Sequence, residues 1–132
     1  MSNKTILVVD DEEQDRITAC RILWCEGCTV LVSNSYRDAL SLFESIRVHV
    51  DLLVVDLSLP DGDGCDLALH MRDLQPDLRV LFVSGQVGAE LCRFYRVDPT
   101  GVHFLRKPYT AKQFSDSLVR VLNTHDDSPF VV

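Results

Sequence analysis

Asp10 and Asp11, Asp56, Ser84 and Lys107 each stand directly behind, or one residue beyond, a short apolar run of the kind that forms a buried strand. Should one end of a sheet gather them, Asp10, Asp11 and Asp56 would repel one another, and such a cluster persists only with a cation or a shared proton to offset it. A bound metal is the simplest answer. Ligands that are all oxygen favour Mg²⁺, which takes one or two carboxylates, keeps several waters and leaves room for phosphate oxygens. Lys107 is a compact ammonium that can pair with a carboxylate or with an incoming phosphoryl group, and Ser84 adds a hydroxyl donor. Phosphoryl transfer asks of a protein little beyond an in-line nucleophile and positive charge aimed at the equatorial oxygens. Asp56, alone behind its strand, is the natural nucleophile, and the adjacent pair Asp10 and Asp11 is better suited to holding the metal.

The elements that must position these side chains are legible as alternating patterns. Residues 6–9, 29–32, 52–55 and 80–83 are continuous apolar runs, with a weaker fifth at 102–105, and several read as strands buried on both faces. Between them the apolar spacing turns helical, as in Ile17, Cys20, Leu23 and Trp24, or Phe114, Leu118, Val121 and Leu122. Thr110 with Gln113 makes a capping box, Ser35 with Asp38 resembles one, and Gly27 is placed to stop the first helix. Alternation of this kind predicts an α/β fold, a doubly wound parallel sheet with helices on both faces. Ligands of such sheets collect beyond the carboxyl ends of the strands, where the polar residues named above fall.

Composition narrows the classes. A chain of 132 residues suits one domain, and 46% hydrophobic with 25% charged residues is the balance of a protein that folds by itself. The net charge of −7, with no basic patch, argues against direct nucleic-acid binding and against anionic membrane surfaces. Its N-terminus has only a short apolar stretch followed by acids, which fits neither a signal peptide nor a span, so a cytoplasmic location is expected. Five cysteines, an odd number, point to reduced thiols that mostly serve as small core residues. Cys25 and Cys28 match C-x-x-C, but zinc needs a second ligand pair, and a helix end beside a strand start explains them better. Asp61-Gly62-Asp63-Gly64 hints at a calcium loop yet lacks the later glycine and glutamate, and reads as a turn. His49, His70, His103 and His125 are scattered and read as surface or edge residues.

Taken together, V-V-D-D-E at 8–12, D-L-S-L-P-D-G-D-G at 56–64, V-S-G at 83–85 and F-L-R-K-P-Y at 104–109 resemble the response-regulator receiver domains of two-component signalling. The likeness runs from Lys4 to about Leu122, with its motifs in the right order. It implies a flavodoxin-like five-stranded sheet in the order 2-1-3-4-5, a receiver domain over residues 4–123, and a tail or the start of a linker over 124–132. It further implies that Asp56 accepts the phosphoryl group, and that Asp11 and Asp56 ligate Mg²⁺ with the backbone carbonyl of Ser58 while Asp10 acts mainly through water. Ser84 and Lys107 would contact the phosphoryl oxygens. Phe104 would be the aromatic rotamer switch, working with Ser84 but without a tyrosine's hydroxyl. Ser58 and Gln86 occupy positions that tune phosphoryl lifetime, and small Gly85 leaves phosphate a path to the acid.

Pro60 to Gly64, with Lys107-Pro108-Tyr109, most resembles receivers attached to hybrid sensor kinases. The partners implied are a sensor histidine kinase or a histidine phosphotransfer protein, with an effector or attached output domain beyond, and a monomer or a phosphorylation-dependent dimer. Such a chain is a phosphoprotein that assists its own phosphorylation and dephosphorylation rather than an enzyme. An aspartyl phosphatase of the haloacid-dehalogenase type also uses a strand-end aspartate, Mg²⁺ and lysine, but it expects an aspartate where Ser58 stands. A receiver serving only as an unswitched docking module is opposed by the intact acid set.

Overall fold

The computed structural model describes residues 3–46, 48–85, 89–124 and 128–130. In order they form β1 (Thr5–Val9), α1 (Glu13–Cys25), β2 (Thr29–Ser33), α2 (Tyr36–Ser45), β3 (Leu52–Asp56), the two-residue strands β4 (Ser58–Leu59) and β5 (Gly62–Asp63), α3 (Gly64–Leu74), β6 (Arg79–Ser84), α4 (Ala89–Tyr95), β7 (Phe104–Arg106) and α5 (Ala111–Asn123). The main sheet is parallel throughout, in the order β2-β1-β3-β6-β7. With the small antiparallel pair β4 and β5 set aside, that is the expected 2-1-3-4-5 order of a flavodoxin-like fold.

Continuous apolar strands are explained by what covers them, since successive side chains of a strand point to opposite faces. Leu7, Val9, Leu53, Val55, Val80 and Phe82 pack with Ala39, Leu67, Ala68, Met71 and Cys92 of α2, α3 and α4. Their neighbours Ile6, Val8, Leu52, Val54, Leu81 and Val83 pack on the opposite face with Ala19, Leu23, Phe114, Leu118 and Val121 of α1 and α5. No helix among the described residues is long and apolar enough to cross a membrane.

Local signals act where the residues require them. Ser35 Oγ accepts from the Asp38 amide at the start of α2, and Thr110 and Gln113 close a full capping box on α5. Gly27 sits at φ 82°, and the Gly27 and Cys28 amides donate to the Trp24 and Leu23 carbonyls, so α1 ends in a Schellman motif. Cys28 is buried and Cys25 exposed, and no cluster of metal ligands among the described residues includes either. Cys20, Cys65 and Cys92 are buried as well, with burial pushing the Cys65 thiol up to about 12.

Two readings of the sequence need correction. The fifth strand is Phe104–Arg106, because Val102 and His103 lie in a turn and only the later residues pair with Phe82, Val83 and Ser84. Trp24 is 61% exposed, since one residue on from buried Leu23 rotates a side chain about 100° around the helix, away from the stripe made by Ala19, Cys20 and Leu23. Beyond α5 the chain returns to the domain. Phe130 bridges to Val97, and its ring meets that of buried Phe82 edge-on at 6.0 Å.

Candidate functional site

Sheet register alone brings the polar residues together. Val9 pairs with Val55, so Asp10 leaves β1 level with Asp56, the last residue of β3. Asp56 pairs with Val83 and Ser84 with Arg106, which puts Ser84 and then Lys107 one step further at the same carboxyl edge. The Lys107 amide donates to the Ser84 carbonyl at 2.8 Å, and the Lys107–Pro108 peptide is cis. An open cleft of about 530 Å³ results, lined by Asp11, Glu12, Asp15, Asp56, Ser58, Leu59, Pro60, Ser84, Gly85 and Lys107.

Lys107 Nζ is the centre of the charge arrangement. It donates to Asp10 Oδ2 at 2.8 Å, to Asp56 Oδ2 at 2.8 Å and to Asp15 Oδ2 at 2.9 Å. Burial pulls the lysine pKa down, but the hydrogen bonds to Asp10, Asp56 and Asp15 outweigh it and hold the ammonium above its ordinary range. Asp10 is buried, and burial pushes its carboxyl up despite the opposing pull of Lys107 and of the Glu12 amide that donates to Oδ1 at 2.9 Å. The Asp56 carboxylate uses Oδ2 for the lysine, while its Oδ1 accepts from the Ser58 amide at 2.9 Å.

Asp10, Asp11 and Asp56 also satisfy the condition for a shared cation, because each offers a ligand oxygen and these atoms lie within 4.8 Å of one another. One ammonium among four acids leaves the cluster negative, and the donors are all oxygen, so the residues fit a hard divalent ion such as Mg²⁺. Ser84 is buried at the cleft edge and Gly85 is exposed beside it. Phe104 is half-buried and packs against the α2, α3 and α4 side of the core. Gln86 and His125 lie outside the described residues.

Sequence reasoning missed Asp15. It lies in the first turn of α1, whereas Asp11 precedes the helix, so no helical spacing ties the two together and nothing near Asp15 in the sequence announces its part in the site. Gly64 is a second residue it undervalued. A Cβ there would lie 2.2 Å from the Asp56 carbonyl oxygen, backbone that cannot swing aside. Gly64→Ala is therefore expected to displace the end of β3, costing about 1–3 kcal/mol of stability and blurring the amide resonances of Asp56 and Ser58. Equilibrium urea unfolding with an amide NMR spectrum checks it.

Comparison with known proteins agrees with this geometry. Residues 6–119 match the model of the response regulator receiver domain. Sensor kinase CckA of Brucella abortus is 33% identical over 122 residues, which is 92% of this chain but only 13% of the length of that protein. Among solved structures, the receiver domain of HemR from Leptospira biflexa superposes with a TM-score of 0.77 at 32% identity, covering 94% of this chain and 98% of that one. The receiver domain of the hybrid histidine kinase CckA superposes at 0.71 and 27% identity, covering 90% and 99%. A family match over most of the chain, joined to the parallel 2-1-3-4-5 sheet and the acids at its carboxyl edge, makes this chain a member of the response regulator receiver family of two-component systems.

Proposed function

We propose that the chain is a phosphorylation-controlled binding switch in which Asp56 takes a phosphoryl group from a partner sensor histidine kinase or histidine phosphotransfer protein. The observation that carries the reading is the joint hold of Lys107 on Asp10, Asp15 and Asp56 beside a cluster of oxygen ligands that fits a divalent cation. Asp11 and Asp56 would hold Mg²⁺ with the Ser58 backbone carbonyl, and Asp10 would act mainly through water. When bound, the ion neutralises charge on the phosphoryl oxygens during transfer.

This chain's own residues do the rest. Asp56 attacks phosphorus through a carboxylate oxygen, the new bond forms as the bond to the donor nitrogen breaks, and the donor histidine leaves neutral after taking up a proton. Lys107 offers its charge to the phosphoryl oxygens, and Ser84 its hydroxyl. The aspartyl phosphate carries roughly −1.5 to −2 charges where the Asp56 carboxylate carried a single one, and it presents them on three oxygens further out in the cleft. Drawing Ser84 inward loosens the packing of Phe104, which pairs with the same strand, and so biases a two-state equilibrium at the face of α4, β7 and α5. The chain is then a phosphoacceptor that assists its own phosphorylation and dephosphorylation, not an enzyme acting on other substrates. It would work in the cytoplasm, as a monomer or a phosphorylation-dependent dimer.

Intact-protein mass after incubation with acetyl phosphate tests this directly. The expected result is a gain of one phosphoryl group that hydroxylamine removes and that requires Mg²⁺. Absence of both adduct and released phosphate, with Mg²⁺ binding demonstrated, would leave only an unswitched docking module.

A further inference from the structure

The turn that carries Ser58 cannot hold itself in place. Strands β4 and β5 are two residues each, pairing Ser58 with Asp63 and Leu59 with Gly62, and an isolated pair this short is unstable in water. The base of the turn is tied to the sheet by the Leu57 amide on the Val83 carbonyl and to the start of α3 by the Gly64 amide on the Leu57 carbonyl, and its tip is held by α2. Asp61, at the tip of the turn, accepts the Tyr36 amide on Oδ1 at 2.8 Å and the Arg37 amide on Oδ2 at 3.0 Å, satisfying two free donors of the first turn of α2. The Tyr36 ring lies directly on Gly62, where an added Cβ would come within 2.8 Å of its Cδ2. Tyr36 Oη then reaches α3, donating to Asp66 Oδ2 at 2.6 Å and lying 2.9 Å from His70 Nδ1. Burial, with Asp66 adding to it, pushes the phenol above its ordinary range and keeps it a donor. On the far side Tyr95 Oη donates to Asp63 Oδ2 at 3.3 Å.

One continuous route therefore joins α2 to the site. The Tyr36 ring bears on Gly62, β5 pairs with β4, and the Ser58 amide donates to Asp56 Oδ1 at 2.9 Å. We propose that Tyr36 and Asp61 form a clasp of positioning residues that holds the Ser58 turn in its cation-binding arrangement and thereby sets the affinity of the Asp11, Asp56 and Ser58 site for a divalent ion. The inference rests on the reading of that site given above. Its physical basis is a population argument: when the competent arrangement is only fractionally populated, apparent affinity falls by that fraction.

The test is titration of the full chain with MgCl₂ alone, followed by amide NMR, together with thermal unfolding of each variant. Tyr36→Ala is expected to weaken Mg²⁺ binding by roughly five- to tenfold. Tyr36→Phe keeps the ring on Gly62 and should restore affinity to within about twofold of the parent. Leu118→Ala, which opens a cavity in the α1 and α5 layer, should lower the melting temperature yet leave Mg²⁺ affinity unchanged. Should Tyr36→Ala fail to fold, Asp61→Ala reads the same clasp from the turn, with weakened binding expected again. Parental affinity in Tyr36→Ala, or in Asp61→Ala where Tyr36→Ala does not fold, overturns the proposal, as does equal weakening in Leu118→Ala or in Tyr36→Phe. Failure of the unaltered chain to bind Mg²⁺ through Asp11 and Asp56 overturns the functional reading and the clasp together, whereas parental affinity in Tyr36→Ala and Asp61→Ala sinks the clasp alone.

Discussion

Asp56→Asn is expected to take up no phosphoryl group from acetyl phosphate at any Mg²⁺ concentration, while remaining folded. The amide oxygen of asparagine carries no charge and is a poor nucleophile, so no covalent adduct can form at this position. Its shape is conserved, and its Oδ1 can still accept the Ser58 amide that Asp56 Oδ1 accepts at 2.9 Å. What the variant loses is the contact of Oδ2 with Lys107 at 2.8 Å, where an NH₂ group now faces an ammonium. Lys107 keeps Asp10 and Asp15, so the fold should lose no more than about 1–2 kcal/mol. Intact mass and a urea titration read the two effects separately. A hydroxylamine-labile adduct persisting in Asp56→Asn would place the acceptor on another carboxylate and sink the assignment.

Removal of the cation should be the more damaging change to stability. Lys107→Met keeps a chain of similar length but leaves Asp10, Asp15 and Asp56 without their shared ammonium. Stranding buried charge costs about 3–5 kcal/mol in a closed interior. Here the cleft is open to water on one side and the Asp15 side chain is 41% exposed, so a loss of roughly 2–3 kcal/mol at neutral pH is expected.

The direction with pH is also determined. In the parent protein the folded-state pKa of Lys107 lies above its unfolded value, so its contribution is fully present below the unfolded lysine range and fades only as pH rises through the folded value. Asp10, raised by burial, behaves in the opposite way from a stabilised carboxylate: its ionisation costs stability at neutral pH, and that cost is relieved as pH falls through its folded value. Loss of Lys107 takes away a favourable partner and raises Asp10 further. The deficit of Lys107→Met should therefore be largest near neutrality, shrink in mild acid, and shrink again on addition of MgCl₂ at neutral pH. Urea midpoints across pH, with and without MgCl₂, measure this; a deficit independent of both would mean that the lysine acts through packing rather than charge.

How much of this was written in the order of residues can be seen at particular positions. Strand cores, the capping box at Thr110, the helix stop at Gly27 and the set Asp10, Asp11, Asp56, Ser84 and Lys107 were all legible, because each is announced by residue type and spacing within a few positions. Trp24 was misplaced because helical spacing alone left two neighbouring apolar residues competing for one stripe, and packing against the sheet favoured Ala19, Cys20 and Leu23. The fifth strand slid by two residues because pairing with β6, not apolar content, decides where an edge strand begins.

Other features had no local signature at all. Asp15 becomes a partner of Lys107 only when β7 brings position 107 alongside α1, across 92 residues of chain. Tyr36, Asp61 and Gly62 meet only because α2 and the β4 and β5 turn pack side by side, and the demand for glycine at position 64 exists only because α3 begins against the Asp56 carbonyl. Phe130 finds Phe82 by the same kind of long return. Sequence by itself determined the elements and the chemical identity of the strand-end residues, since hydrogen-bonding period, capping and charge type are properties of short segments. Tertiary structure alone decided which acids share the ammonium and what holds the Ser58 turn, since those contacts arise between segments distant along the chain and are set by register and packing.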